Sequence, residues 1–109
     1  VLIFIVSQTT IQRGDAAEPS HSHSFDAGAA WAQMALQATA LGYHAHGMVG
    51  VDFDRARQEL AIPDDWRIEA AVAIGQRDHP DRLPEALRGR EQPSGRKPVD
   101  EIAVAGSFR

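Results

Sequence analysis

The chain has 109 residues, which limits it to one small domain. Its formal net charge of −4 argues against nucleic acid and membranes as partners, because both attract a basic surface. The sequence has no cysteine, which excludes disulfides, thiolate zinc sites and a cysteine nucleophile, and which fits a cytoplasmic protein. No apolar run approaches the roughly 20 residues that a membrane-spanning helix needs.

The first predicted element is a strand at the start of the chain. Residues 1–6 read VLIFIV, and a continuous apolar run without alternation is typical of a strand buried on both faces. Because such a strand needs neighbours, we expect the complete protein to have residues upstream of Val1. The polar segment 7–24, which contains Gly14 and Pro19, is predicted to be a loop.

A long helix is predicted next. Ser24 or Asp26 is the expected cap, because either side chain can accept a hydrogen bond from the free amides of a first turn. Apolar residues then recur at helical spacing, at Ala27, Trp31, Met34, Ala35, Ala38 and Leu41. Gly42 suits the left-handed residue that ends a helix. Since alanine lets other helices approach closely, the pattern predicts a central buried helix or a dimer interface.

The remaining chain alternates short elements with turns. In order, it contains a predicted short strand or extended turn at 45–51, a helix capped by Asp52 or Asp54 and ending near Leu60, a strand at 67–74, a loop at 78–91 with one helical turn at 84–88, a basic turn at 92–98 and a tail at 99–109. Strands and helices in this order predict an α+β or α/β sandwich. Because so few strands do not close a good core, we expect a partner chain or further residues to cover them.

Four histidines form two His-x-His pairs, His21 with His23 and His44 with His46. On an extended segment, residues two apart point the same way, so each pair could hold one metal ion. The other interpretation is that these histidines make separate hydrogen bonds in a loop and at a strand end. No carboxylate stands at a characteristic spacing beside either pair, and we assign no metal ligand.

Two further segments have features that suit a cofactor. Gly47 and Gly50 let backbone amides approach a flat or anionic ligand, although the same spacing suits a tight connection between a strand and a helix. Arg96 and Lys97 stand in a turn framed by glycine and proline, SGRKP. They can bind a phosphate, the arginine by its fork and the lysine as a point charge, or they can form a solvated surface turn.

Six stretches of sequence form a characteristic ordered set. They are SFDAGAAW (24–31), ALGY (40–43), AHGMVGVD (45–52), ARQELAIP (56–63), VAIG (72–75) and SGRKPVDEI (94–102). In this order and spacing they resemble the C-terminal half of the nitroreductase family of FMN-dependent NAD(P)H nitroreductases and flavin reductases. The resemblance covers nearly the whole chain, and it is carried by the set rather than by any single stretch.

The resemblance implies a fold and an activity. Residues 1–109 would be the C-terminal portion of a single nitroreductase-like domain, an α+β sandwich with a central mixed sheet flanked by helices and a long alanine-rich dimer helix. Members of the family are homodimers with FMN at the subunit interface. They are oxidoreductases that transfer electrons from NADH or NADPH to nitroaromatic, quinone or flavin acceptors, and the flavin performs the hydride chemistry.

The resemblance also implies which residues bind FMN. The isoalloxazine ring would lie beside a segment with a backbone amide near its N5 atom, and that segment is His46, Gly47, Met48, Val49 and Gly50. Arg96 and Lys97 would hold the phosphate, and the tail after Val99 would reach over the partner subunit. No side chain is a convincing catalytic acid or base, which is consistent with chemistry carried by the cofactor.

The sequence departs from the family pattern in two ways. Many members have an acidic residue where this chain has Val49, which bears on flavin tuning and on the electron acceptor. The N-terminal half of the family has no counterpart in these residues, so we expect the isolated chain to bind FMN poorly and to be inactive. Two other hypotheses are a metal-binding module built on the histidine pairs and a non-catalytic remnant that acts through dimer contacts.

Overall fold

The fold is given by a computed structural model that describes residues 1–107 as two compact units, which divide after Arg77. Helices and strands occur together, which confirms the α+β class. Residues 108 and 109, the end of the predicted tail, lie outside the described residues. Along the described part of the chain, no helix is both long enough and apolar enough to cross a bilayer.

The first unit consists of strands and helices in the order that the sequence predicts, with one added hairpin. The elements are β1 (Leu2–Gln8), β2 (Thr10–Arg13), β3 (Ala16–Pro19), α1 (His23–Ala40), β4 (His44–Met48), α2 (Phe53–Glu59) and β5 (Trp66–Gly75). β5 is the centre of a sheet of order β1-β5-β4, and β2 pairs with β3. These pairs are all antiparallel, so the parallel pairs of a mixed sheet do not occur among these strands.

β1 is an edge strand of this sheet, paired with β5. Val1 and Leu2 are exposed, and residues 3–6 are half-buried. The prediction of a strand buried on both faces is therefore wrong for the described residues. The physical reason is that α1 packs on the sheet from one side, whereas the apolar run fits a strand with both faces covered.

The prediction of a loop over 7–24 is also wrong. β1 continues to Gln8, and β2 and β3 form a hairpin around a two-residue turn at 14–15. Gly14 has a φ of +60°, the left-handed conformation that lets a short turn match the twist of its strands. The Thr9 amide anchors the base of the hairpin by donating to the Asp65 carbonyl at 2.7 Å. The sequence does not predict this hairpin because its strands, TIQR and AAEP, lack a regular alternation of apolar and polar residues.

α1 begins earlier than predicted. Ser22 is the N-cap residue, and its hydroxyl donates to Asp26 Oδ2 at 2.9 Å. The predicted caps, Ser24 and Asp26, therefore lie inside the helix. The additional residues have partners on the sheet, because His23 and Ser24 both contact Glu69 of β5.

The end of α1 agrees with the prediction. Gly42 has a φ of +82°, and its amide donates to the Thr39 carbonyl at 3.0 Å. The Tyr43 amide donates to the Ala38 carbonyl at 2.9 Å. This pair of bonds is a Schellman motif, which needs the left-handed conformation that glycine adopts without a steric penalty.

The segment from β4 to β5 is closed by local hydrogen bonds. Of the short strand or extended turn predicted at 45–51, the strand ends at Met48, because the ladder with β5 stops at the pair Met48 and Ala71. Asp52 caps α2 as predicted, since its Oδ1 accepts from the Arg55 amide at 2.9 Å. Arg57 then holds the turn into β5 by donating to three backbone carbonyls, those of Ile62, Pro63 and Trp66.

A β-bulge interrupts the pairing of β1 with β5. Ile5 lies opposite Ala70 and Val6 lies opposite Ile68, so Glu69 has no partner on β1. An unpaired extra residue changes the face that the bulged strand presents. The bulge therefore turns the Glu69 side chain toward the first turn of α1, where Ser24 donates to it.

The core of the first unit is small. The buried apolar side chains are Ala38, Ala56, Ile68, Ala71 and Val72. Alanine contributes little apolar area, so this core stabilises the unit less than a core of large aliphatic residues would. The expectation that these strands alone make a weak core is consistent with this composition.

The second unit, from Asp78 onward, consists of short helical turns. They are a 3₁₀ turn (Pro80–Arg82), α3 (Glu85–Arg88) and α4 (Val99–Ile102), and none of these elements contains a buried residue. The helical turn predicted at 84–88 is confirmed as α3. The basic turn predicted at 92–98 has no regular secondary structure.

Candidate functional site

The segment predicted to lie beside a flat ligand spans the end of β4 and the residues after it. His46, Gly47 and Met48 belong to the strand, and Val49 and Gly50 follow it. β4 pairs with β5 along one side, so it forms an edge of the sheet within the described residues. Val49 is 71% exposed, which leaves this segment accessible to a ligand.

Gly47 lies close to a side chain of the protein itself. A Cβ atom placed on Gly47 would lie 3.3 Å from Cζ2 and 3.6 Å from Cε2 of Trp31 on α1. A methyl group at position 47 would therefore be tightly packed and would require the indole ring to shift by a few tenths of an ångström. The half-buried side chain of Trp31 lies between α1 and β4.

Gly50 has a different environment. A Cβ atom placed on Gly50 would meet nothing within 4 Å. The backbone N–H groups of Val49 and Gly50 also donate to no acceptor within the described part of the chain. Because a backbone N–H without a partner needs water or a ligand, this short segment offers two adjacent donors without a side chain at Gly50 to block them.

The predicted phosphate ligands lie in the second unit. Arg96 Nη1 donates to the Ser94 carbonyl at 3.2 Å and also to the Ser94 hydroxyl. Those acceptors are neutral, and neither Arg96 nor Lys97 forms an ion pair with any described carboxylate. The two cations are exposed, so their positive charge is available to an anion.

The two histidine pairs differ in geometry. His44 and His46 both belong to β4 and point to the same face of the strand, as predicted. His21 and His23 do not share an extended segment, because His23 is the first residue of α1. The predicted geometry of this first pair is therefore wrong. Across the described residues, no group of three or more potential metal ligands converges.

A polar cluster that the sequence did not predict joins β1, α1 and β5. Its centre is Glu69, whose Oε1 accepts hydrogen bonds from Ser7 and from Ser24, each at 2.7 Å. His23 Nδ1 lies 2.9 Å from the Ser7 hydroxyl oxygen and 3.5 Å from Glu69 Oε1. Arg67 Nε lies 3.5 Å from Glu69 Oε2. A carboxylate inside an otherwise apolar part of β5, IEAAVAI (68–74), was the signal that could have identified it.

The hydrogen bonds of the cluster determine which of its atoms donate a proton and which accept one. The Ser7 hydroxyl has one proton, which it donates to Glu69, so His23 Nδ1 must donate to the Ser7 oxygen. The chain of donors therefore runs from histidine to serine to carboxylate. This order differs from that of a hydrolase triad, in which the serine hydroxyl gives its proton to the histidine. The cluster is a structural connection between α1 and the sheet.

The ionisation of Glu69 reflects this environment. Burial alone would raise the pKa of the carboxyl, but hydrogen bonds from Ser24 and Ser7 and the charges of Arg67 and His23 outweigh burial and lower the pKa. Glu69 is therefore ionised near neutral pH. An open groove of about 430 Å³ lies beside the cluster, with His23, Asp26, Ile11 and Trp66 among its lining residues.

Comparison with known proteins identifies the family. The model of the nitroreductase family matches residues 1–76, which is more than half of the chain. The chain belongs to the nitroreductase family. The resemblance inferred from the six ordered stretches is therefore confirmed, and the tertiary structure agrees with solved members.

Three relatives illustrate the similarity. The crystal structure of an oxidoreductase containing FMN is 46% identical with a TM-score of 0.92, and the match covers 99% of this chain and 55% of that one. A nitroreductase family protein from Clostridium difficile 630 shares the fold, at 20% identity and a TM-score of 0.67 over 98% of this chain and 59% of that one. An uncharacterised 15.4 kDa protein encoded in the ask 5′ region of Mycolicibacterium smegmatis is 34% identical over 76% of this chain and 56% of that protein.

The chain spans little more than half the length of these relatives, 55% to 59%.

Proposed function

We propose that the protein is an FMN-dependent oxidoreductase that transfers electrons from NADH or NADPH to nitroaromatic, quinone or flavin acceptors. Membership of the nitroreductase family supports an oxidoreductase, and the 46% identical relative contains FMN. The observation that carries the proposal within this chain is the pair of free backbone N–H groups at Val49 and Gly50.

These residues fit the flavin of FMN. The isoalloxazine ring is flat and carries acceptor atoms along one edge, and the segment 49–50 offers donors with no side chain at Gly50. His46, Gly47 and Met48 would hold the segment in place through the β4–β5 ladder. When bound, FMN supplies the hydride and electron transfer, and the protein supplies position and electrostatics.

Arg96 and Lys97 fit the phosphate of FMN. Arg96 is held by neutral oxygens of its own turn, so binding an anion would not require breaking an ion pair with a described carboxylate. Its guanidinium can grip two phosphate oxygens at once, and the Lys97 ammonium adds a second positive charge. The shape and exposure of the segment 46–50 would then select the electron acceptor.

We also propose that the protein is a homodimer that functions in the cytoplasm. α1 carries a second apolar stripe on its exposed side, formed by Phe25, Ala29, Ala32 and Leu36 at helical spacing. Phe25 is 79% exposed and Leu36 is 72% exposed. Large apolar side chains that repeat along an exposed helix face support an interface, and the small residues between them allow close approach.

The metal-binding hypothesis has less support. His23 directs Nδ1 toward Ser7, and no third ligand joins His44 and His46 among the described residues.

The test is titration with FMN, followed by flavin fluorescence, of the protein produced from its whole reading frame. We expect tight, stoichiometric binding, and NAD(P)H should bleach the bound flavin. Arg96→Ala should weaken binding by roughly tenfold to a hundredfold, since a charge-assisted hydrogen bond contributes about 1.5–3 kcal/mol. The matched control is Arg90→Ala, which removes the same charge six positions away.

Two results would count against the proposal. A whole protein that does not bind FMN would refute it, and equal loss of affinity in the Arg96 and Arg90 variants would remove the assigned phosphate site. The isolated 109-residue chain should bind FMN poorly, because it spans about half of the FMN-containing relative.

A further inference from the structure

We propose that Trp31 is a positioning residue for the flavin, because its indole ring sets the location of the β4 backbone relative to α1. The inference rests on the proposed function, since it concerns the strand that leads into the free donors at Val49 and Gly50. It adds a residue on α1, outside the residues assigned to FMN binding, which are 46–50, Arg96 and Lys97.

The contact between the ring and the strand is close. A Cβ atom built on Gly47 would lie 3.3 Å from Trp31 Cζ2, 3.6 Å from Cε2 and 3.8 Å from Nε1. Several atoms of one ring edge therefore face the same point of the backbone. Gly47 lies directly opposite Val72, which is fully buried in the central strand. The backbone at position 47 is thus held by the β5 ladder along one edge and by the indole ring on one face.

Trp31 itself has a well-defined place. The first turn of α1 is tied to β5 through Ser24 and Glu69, and the last turn ends in the Schellman motif at Gly42. Trp31 lies between these two anchored ends. Within the described residues its Nε1–H donates to no acceptor, so packing rather than a hydrogen bond determines where the ring lies.

The position of the ring affects the donors that follow. β4 is an edge strand within the described residues, so no second neighbouring strand fixes the distance between β4 and α1. The ladder stops at Met48, and the two free N–H groups come directly after it. A shift of the backbone at Gly47 would therefore carry through to those groups. Misplacement of a cofactor contact by about 1 Å can cost on the order of a hundredfold in activity.

The experiment is a double-mutant cycle in the protein produced from its whole reading frame. Trp31→Leu opens the space at position 47, Gly47→Ala fills that space against the native ring, and the double variant places the methyl group where the ring was. Trp31→Phe keeps an aromatic ring in case the leucine variant does not fold. Met34→Leu, one turn along the same helix, is the matched control. For each variant we would measure the melting temperature without FMN, the FMN dissociation constant and the midpoint potential of bound FMN.

We expect Trp31→Leu and Gly47→Ala each to weaken FMN binding by roughly tenfold and to shift the potential, with recovery in the double variant because the two changes are coupled. Met34→Leu should change none of the flavin measurements. A purely structural role would alter the melting temperature and leave the potential of bound flavin unchanged. If the wild-type protein binds FMN and the Trp31 variants bind it equally well at the same potential, the positioning role is refuted. If the wild-type protein binds no FMN, the proposed function fails and this inference fails with it, even if the melting temperatures show coupling.

Discussion

In the cluster that joins β1, α1 and β5, the polar side chain of Ser7 hydrogen-bonds with those of His23 and Glu69, and Ser7 is only 7% exposed. After β4, at the opposite edge of the same sheet, the amides of Val49 and Gly50 have no acceptor among the described residues. Polar groups that are fully paired stabilise a fold, whereas donors without partners need a ligand or water. The comparison separates a structural polar site from a candidate ligand site.

The largest expected effect on stability comes from the cluster of Ser7, His23 and Glu69, whose polar groups are paired. Glu69→Ala should lower the free energy of unfolding by about 2–3 kcal/mol, because it removes the acceptor of two hydroxyl groups and leaves a half-buried network without its anion. Urea denaturation would measure this loss. Glu59→Ala is the control, because Glu59 is exposed and contacts Arg55 on the surface of α2. Equal effects of the two substitutions would remove the distinction between the two regions.

Low pH should destabilise the same cluster through protonation of Glu69. The pKa of Glu69 is lowered in the folded protein, because the hydrogen bonds and nearby cations outweigh burial. Ionised Glu69 therefore contributes stability above the pKa of the unfolded chain, about 4.3, and that contribution is lost as the pH falls through the lower folded value. The loss should be smaller than in Glu69→Ala, since a protonated carboxyl still offers an oxygen. In Glu69→Gln the acid limb of the stability profile should become flatter, and an unchanged profile would contradict this assignment.

A smaller effect on stability is expected at Asp52, which follows the segment of Val49 and Gly50. Asp52 caps α2 two residues after Gly50, and Asp52→Ala should cost about 1 kcal/mol in unfolding free energy. Asp52→Asn should restore most of that stability, because an amide oxygen can also accept from the Arg55 amide. A neutral result for Asp52→Ala would show that Arg57 alone holds this region.

The smallest effect on stability should be at Gly50. Gly50→Ala should change the unfolding free energy by less than about 0.5 kcal/mol, because a Cβ atom there meets nothing within 4 Å. The same substitution should weaken FMN binding by the protein produced from its whole reading frame, because the methyl group would stand beside the free donors. A loss of stability without a loss of FMN affinity would show that Gly50 has a structural role and no role in FMN binding.

Much of the chain was predictable because its signals are local. The helical spacing from Ala27 onward, the glycine that ends α1 and the aspartate that caps α2 each depend on residues within a few positions. The hairpin at 10–19 and the start of α1 at His23 were not predicted. These segments contact Asp65 and Glu69, which lie more than 40 positions away in sequence, so local patterns do not reveal those contacts.

The candidate site shows the same division. The sequence singled out Gly47 and Gly50 together, as residues that let a ligand approach the backbone. The structure separates them, because a Cβ atom on Gly47 would lie 3.3 Å from Trp31 and a Cβ atom on Gly50 would meet nothing within 4 Å. Two identical residues three positions apart cannot be distinguished by spacing, since the difference arises from a side chain on another element.

The sequence by itself predicted the succession of β1, α1, β4, α2 and β5 along the chain, and through the family resemblance it predicted the α+β class and the family to which the chain belongs. Tertiary structure decided which polar groups form hydrogen bonds and which have no partner among the described residues. Hydrophobic periodicity and capping depend on near neighbours and can be recognised in one dimension. The bulge that turns Glu69 toward α1, and the ring that packs on Gly47, arise when distant segments meet, so they become visible after the sheet and helix have packed.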